Sequence, residues 1–203
     1  MAPSPTLLTR AIIALKKAYP LLSIDVTLDT SDRLFELLRE GTLDVAIGRI
    51  RDAHRADDYA FEALENEALA VVVGVHHPLA RKKSVKFNAL LDYPWILQPI
   101  GSPMREVLEQ EFRMLQTPMP QGLIETASIL TTTNLIAETD MVGVMPQSIA
   151  DTYARHGLLA ILACPIKHKM EAFGTITRKD RPLSDAARFF VAVLHGRKAS
   201  KSP

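Results

Sequence analysis

The chain has 203 residues, 47% hydrophobic and 23% charged, with a formal net charge of +1. That length supports a substantial core, and the balance is that of a globular protein, which excludes a mainly disordered chain. The near-neutral charge excludes the basic field by which a DNA-binding module attracts phosphate.

Cys164 is the single cysteine, so no intrachain disulfide forms, and a cytoplasmic setting is expected. Met1 to Thr6 lacks the basic start and apolar run of a signal peptide. No stretch approaches the ~18 apolar residues of a membrane span.

In chain order, Leu7, Leu8, Ala11, Ile12, Leu15 and Ala18 keep helical spacing, with Ser4 as N-cap and Pro5 in the first turn. Pro20 stops this helix. Ile24, Val26 and Leu28 alternate with polar residues and predict a strand. Ser31 caps a second helix carrying Leu34, Phe35, Leu37 and Leu38, and Gly41 fits its end. Leu43 to Ile47 predicts a short buried strand. The order α-β-α-β points to a mostly parallel sheet.

After a polar loop, Phe61–Leu64 and Glu67–Val75 predict strands, the second too apolar for an exposed edge. Arg81 to Asn88 reads as a basic surface loop. Trp95–Leu97 is a strand, and Ser102 and Pro103 open a helix with Val107, Leu108, Phe112 and Leu115. Leu123–Glu125 is a strand, and Ser128 caps a helix to about Thr139. Met141–Val144 is a strand before a helix from Pro146. Leu159–Leu162 and Ala172–Thr177 are strands, and Ser184–Gly196 is the final helix.

Signals for chemistry are few. The six histidines form no H-E-x-x-H and no ligand pattern with Cys164, so no metal is expected. Cys164, beside an apolar run, reads as a buried inert thiol. Asp29-Thr30-Ser31 reads as a strand end plus a cap. There is no G-x-S-x-G, Walker loop or G-x-G-x-x-G. No catalytic residue and no cofactor is expected.

The recurring feature is a serine at a helix start: Ser4, Ser31, Ser102 and Ser128. Ligands of open α/β sheets bind at the carboxyl ends of strands. Helix starts there offer free N–H groups and partial positive charge, which suit carboxylate or phosphate. The bland reading is that each serine only caps its helix.

Four stretches resemble the effector domain of LysR-type transcriptional regulators. They are Leu7-Leu8-Thr9-Arg10 with Tyr19-Pro20-Leu21-Leu22-Ser23-Ile24-Asp25-Val26; Leu37-Leu38-Arg39-Glu40-Gly41-Thr42-Leu43-Asp44-Val45-Ala46-Ile47-Gly48; Val71-Val72-Val73-Gly74-Val75-His76-His77-Pro78-Leu79-Ala80; and Gly143-Val144-Met145-Pro146. The second stretch is the most specific, and together they span residues 7 to about 195.

The resemblance implies an α/β fold of the type 2 periplasmic-binding-protein kind: two Rossmann-like lobes, joined by two crossover strands, with a ligand cleft between them. Lobe I takes residues 1–65 and 171–203, lobe II residues 66–170, with crossovers near residues 65 and 171. The family's N-terminal DNA-binding domain and the first strand of lobe I are missing from this sequence. Expected ligand-binding residues are Pro3, Ser4, Ser31, Arg49, Gly101, Ser102, Met104 and Ser128.

The implied function is to sense a small, anionic effector, an aromatic or sugar acid, and so control DNA binding and transcription. The implied partners are a homodimer through helices 7–18 and 104–115, a tetramer in the full-length protein, and DNA only through the missing N-terminal domain. No membrane partner is expected. The alternatives are a solute-binding protein of the same fold, or an enzyme acting on a small molecule.

Overall fold

The computed structural model describes residues 5–29, 31–49, 57–64, 68–168, 170 and 173–197. The chain divides into two compact units, Met1–Asn66 with Glu171–Pro203, and Glu67–Met170. The expected crossovers near residues 65 and 171 fall outside the described residues.

The second unit contains β3 (Leu69–Val73), β4 (Trp95–Leu97), α3 (Pro103–Met114), β5 (Ile124–Glu125), α4 (Ile129–Glu138), β6 (Val142–Pro146), α5 (Gln147–Arg155) and β7 (Ala160–Ile161). Its sheet has the order β5-β4-β6-β3-β7. β4 runs parallel to β5 and β6, and β3 runs antiparallel to β6 and β7.

Side chains alternate across a strand, and here both faces are covered. Val71 and Val73 join Trp95, Leu97, Phe112 and Val142 on one side. Ala70 and Val72 join Ile96, Ile136, Met145 and Ile149 on the other. This two-sided burial is why β3 and β6 read as continuous apolar runs. Each fully buried Val, Leu or Phe contributes about 1.5–3 kcal/mol of transfer energy. The indole of Trp95 keeps its polar atom satisfied by donating to the Leu90 carbonyl at 2.9 Å.

The expected basic surface loop at Arg81–Asn88 is surface only in its first part. Arg81, Lys82 and Lys83 are exposed, but Val85 and Phe87 are buried and a short 3-10 helix follows at Phe87–Leu90. The Phe87 ring meets Phe112 edge-on at 5.1 Å, which ties this segment to the core.

The first unit contains α1 (Pro5–Ala18), α2 (Ser31–Glu40), β1 (Ala46–Gly48), β2 (Tyr59–Ala63), β8 (Gly174–Arg178) and α6 (Asp185–Leu194). Ala11 of α1 and Leu194 of α6 share a core with Leu64 and Phe173. Phe35 and Leu38 of α2 cover Ala46 and Ile176.

Two expectations for this unit are corrected. Ile24–Leu28 does not form a strand: residues 22–29 have no ladder partner among the described residues. Without a neighbour, alternation has no sheet to alternate across, and Val26 and Leu28 are 59% and 82% exposed. The described sheet is also not parallel. β8, from the end of the chain, lies between β1 and β2 and runs antiparallel to both.

Candidate functional site

In the second unit, chain order and spatial order part at β4. The chain leaves β4 through α3 to reach β5 on one side, then passes through α4 to β6 on the other side of β4. α3 packs through Leu108 and Phe112 on one sheet face, while α4 packs through Ile136 on the opposite face. Connections leaving parallel strands toward opposite faces open a crevice at the strands' carboxyl ends, the site where such sheets bind ligands.

Both helix starts at that crevice are built by capping serines. Gly101 turns the chain with φ of 82°, a conformation that side chains other than glycine resist. Ser102 follows, and its Oγ accepts from the Arg105 N–H at 3.3 Å. Ser128 Oγ accepts from the Thr131 N–H at 3.2 Å and from its hydroxyl at 2.9 Å. Pro103 has no N–H and the cap takes that of Arg105, which leaves the Met104 N–H outside the ladder of α3, while in α4 the cap on Thr131 leaves those of Ile129 and Leu130.

The first turns of α3 and α4 and the ends of β4 and β5 line one small concavity. Its walls include Leu97, Gln98, Met104, Thr126, Ile129 and Thr132. Met104 is only 3% exposed and packs with Val107 and Met170, so it serves the core as well as this wall. Gln98 and Thr126 were not anticipated. Each lies directly after a strand, the position that the strand-end rule marks.

Arg105 holds this corner together. Its guanidinium reaches Glu109 at 2.9 Å and Glu125, at the end of β5, at 3.2 Å. The arginine side chain is only 6% exposed, while Glu125 stays 40% exposed.

The remaining expected residues belong to the first unit or lie outside the described residues. Pro3 and Ser4 lie outside them. Ser31 is the first residue of α2. Arg49 follows β1, is buried, and holds its guanidinium carbon 5.9 Å from the centre of the Phe173 ring, a cation–π distance. Gly101, Ser102 and Met104 thus belong to the start of α3 and Ser128 to the start of α4, the helices that follow the parallel strands β4 and β5, and Ser31 and Arg49 are in the first unit.

Titrating groups elsewhere follow burial. The Cys164 thiol is pushed up to about 11, first by burial and then by the Glu111 carboxylate. Among the described residues no group of three or more His, Cys, Asp or Glu could hold a metal ion, and no helix is long and apolar enough to cross a membrane.

The family model described as LysR substrate binding domain matches residues 1–199. The chain belongs to that family. Among LysR-type relatives it is similar to the transcriptional regulator GbpR of Azospirillum brasilense, at 35% identity over 99% of this chain and 59% of that protein. The chain therefore spans little more than half the length of this relative.

Solved LysR effector domains share the fold. The effector binding domain of QuiR in complex with shikimate superposes with a TM-score of 0.71, at 19% identity over 93% of this chain and 88% of that one. The Synechocystis PCC6803 CcmR regulatory domain in complex with 2-PG gives 0.73, at 16% identity over 95% and 91%. The mixed α/β architecture is that of the type 2 periplasmic-binding-protein-like effector domains.

Proposed function

We propose that this chain is the effector-sensing domain of a LysR-type transcriptional regulator, and that it binds a small anion without transforming it. The observation that carries this is the pair of capped helix starts, α3 and α4, at the ends of adjacent parallel strands. N–H groups outside the intrahelical ladder and the positive ends of two helix dipoles favour a carboxylate or phosphate there. Ile100 and Leu130, 76% and 65% exposed beside the two turns, offer apolar contact to the ligand's body.

Gly101, Ser102, Met104 and Ser128 are the proposed ligand-binding residues of the second unit, and Pro3, Ser4, Ser31 and Arg49 are those proposed in the first. Support for an anion comes from the neighbours: the effector domains of QuiR and CcmR are complexed with shikimate and 2-PG. The matched relatives are named as regulators, which favours sensing over catalysis and over solute capture.

In the full-length regulator, effector binding would shift the balance between two arrangements of the assembly, and hence DNA binding. A homodimer through α1 and α3 is part of the proposal. Ile13 and Met114, about half exposed at 49% and 48%, present apolar surface on those two helices. The tetramer, the cytoplasmic location and DNA contact through a separate N-terminal domain also belong to it.

The test is a thermal-shift screen of aromatic carboxylates, sugars and sugar acids. A ligand at a hundred times its Kd adds about 2.7 kcal/mol of stability by mass action. A hit should weaken at least tenfold, about 1.4 kcal/mol, with Arg49→Ala or Ser102→Ala. Neutral sugars binding as well as their acids would refute the anionic reading.

A further inference from the structure

The net charge of +1 excludes a basic field over the whole chain, but the charge is not spread evenly. Residues 68–91 contain no Asp or Glu, and Arg81, Lys82, Lys83 and Lys86 all lie in that stretch. All of them are exposed. Among the described residues none of them forms an ion pair with an acid. Asp140, the acid that faces the start of this loop, acts on the His77 ring.

The fold holds these cations out on a fixed frame. The Lys82 N–H donates to the Leu79 carbonyl at 3.0 Å, which closes a turn, and the Val85 N–H donates to the Ala163 carbonyl at 3.0 Å. Val85 and Phe87 are buried in the core with Trp95 and Phe112, so Ser84 and Lys86 face outward between them. A frame tied at both ends loses little conformational freedom when its charges are engaged.

The composition of the exposed face selects the partner. From Arg81 to Lys86 every exposed side chain is charged or polar, and lysine outnumbers arginine. Protein interfaces are depleted in lysine and organised on aromatic or apolar anchors. Duplex DNA asks for the reverse: compact cations against a row of phosphates, with no apolar contact. The charge density matches as well. The steps from Arg81 to Lys86 reach at most about 17 Å, a length along which a duplex carries about ten phosphate charges. We propose that the Arg81–Lys86 loop is a phosphate-contacting surface for duplex DNA, which grips the backbone without reading the sequence. It supplements the DNA contact of a separate N-terminal domain and gives the second unit its own hold on the duplex.

The test uses the 203-residue chain and a fluorescein-labelled duplex of about 20 base pairs, with anisotropy read from about 20 to about 200 mM salt. Neutralising one phosphate per cation gives log K a slope of about −3.6 against log salt. Lys82→Gln/Lys83→Gln should weaken binding about tenfold at the low end and reduce the slope to about −1.8. Arg39→Gln/Arg155→Gln removes the same charge from exposed positions elsewhere and should bind as the parent does. A duplex of scrambled sequence should also bind equally. Neither double variant alters a buried residue, so both should keep the parent's melting temperature.

No binding at low salt would overturn the proposal. So would equal weakening by the two double variants, which makes the loss a matter of net charge. A polyglutamate peptide that binds the parent, weakens with Lys82→Gln/Lys83→Gln and resists displacement by the duplex would assign the loop to an acidic protein instead. The effector reading is separable, since its readout lies at the starts of α3 and α4.

Discussion

The Glu111 carboxylate, inside α3, accepts the backbone N–H of His168 at 2.6 Å and lies 3.0 Å from that residue's ring Nδ1. The two residues are 57 positions apart, and Glu111 is only 2% exposed. This contact fastens the segment after β7 to the helix whose start forms the candidate site. A charged acceptor on a buried N–H is worth about 1.5–3 kcal/mol. Glu111→Ala should lose about that much in urea denaturation, with Glu111→Gln losing less because an oxygen acceptor remains. Wild-type stability for Glu111→Ala would show the contact to be incidental.

A second prediction concerns pH. His77 is 4% exposed, and its Nδ1 accepts from the Leu79 N–H at 3.1 Å, so its proton sits on Nε2. Burial holds its pKa below the usual histidine value, with Asp140 opposing. His195 is held down too, first by burial, with Glu62 opposing and Arg197 adding to the shift, while its Nε2 pairs with Thr175 Oγ1 at 2.9 Å. Both are therefore neutral in the fold at pH values where the unfolded chain binds protons. Stability from this source is complete above an unfolded pKa of about 6.5 and declines as pH falls through that value toward the lower folded pKa. His195→Gln should flatten the decline in melting temperature measured from pH 7.5 to pH 5, a range of roughly one unit above and more than one below that unfolded value. An unchanged slope would exclude His195 as a source.

Close packing at Gly74 supplies a third. A Cβ placed there would lie 2.3 Å from the Ile136 carbonyl oxygen of α4. Backbone cannot yield as a flexible side chain does, so Gly74→Ala must push the helix away from the sheet. A loss of about 1–3 kcal/mol is expected by denaturant titration. A neutral result would mean that α4 can shift freely.

Most of the second unit was legible in the sequence because local signals and tertiary packing agree there. Ser102 before Pro103, and Ser128 before an apolar run, mark helix starts that the structure caps with those same hydroxyls. The apolar run at β3 reports burial on both faces of the sheet. The first unit was harder because strands depend on partners. The alternation at Ile24–Leu28 is real, but a pattern cannot supply a neighbouring strand, and β8 is recruited from beyond residue 170. Gln98 and Thr126 follow strands that the sequence marks, but no motif or residue type singles them out among the loop residues there. Only the meeting of two strand ends does.

The most direct test of the central claim is amide chemical-shift mapping of the chain with a carboxylate ligand taken from the thermal screen. The account predicts that the N–H groups of Ser102, Met104 and Arg105 and of Ser128–Thr131 move together with a single saturation curve, and that esterifying the ligand's carboxylate abolishes the shifts. Saturable binding that leaves both helix starts unmoved would contradict it.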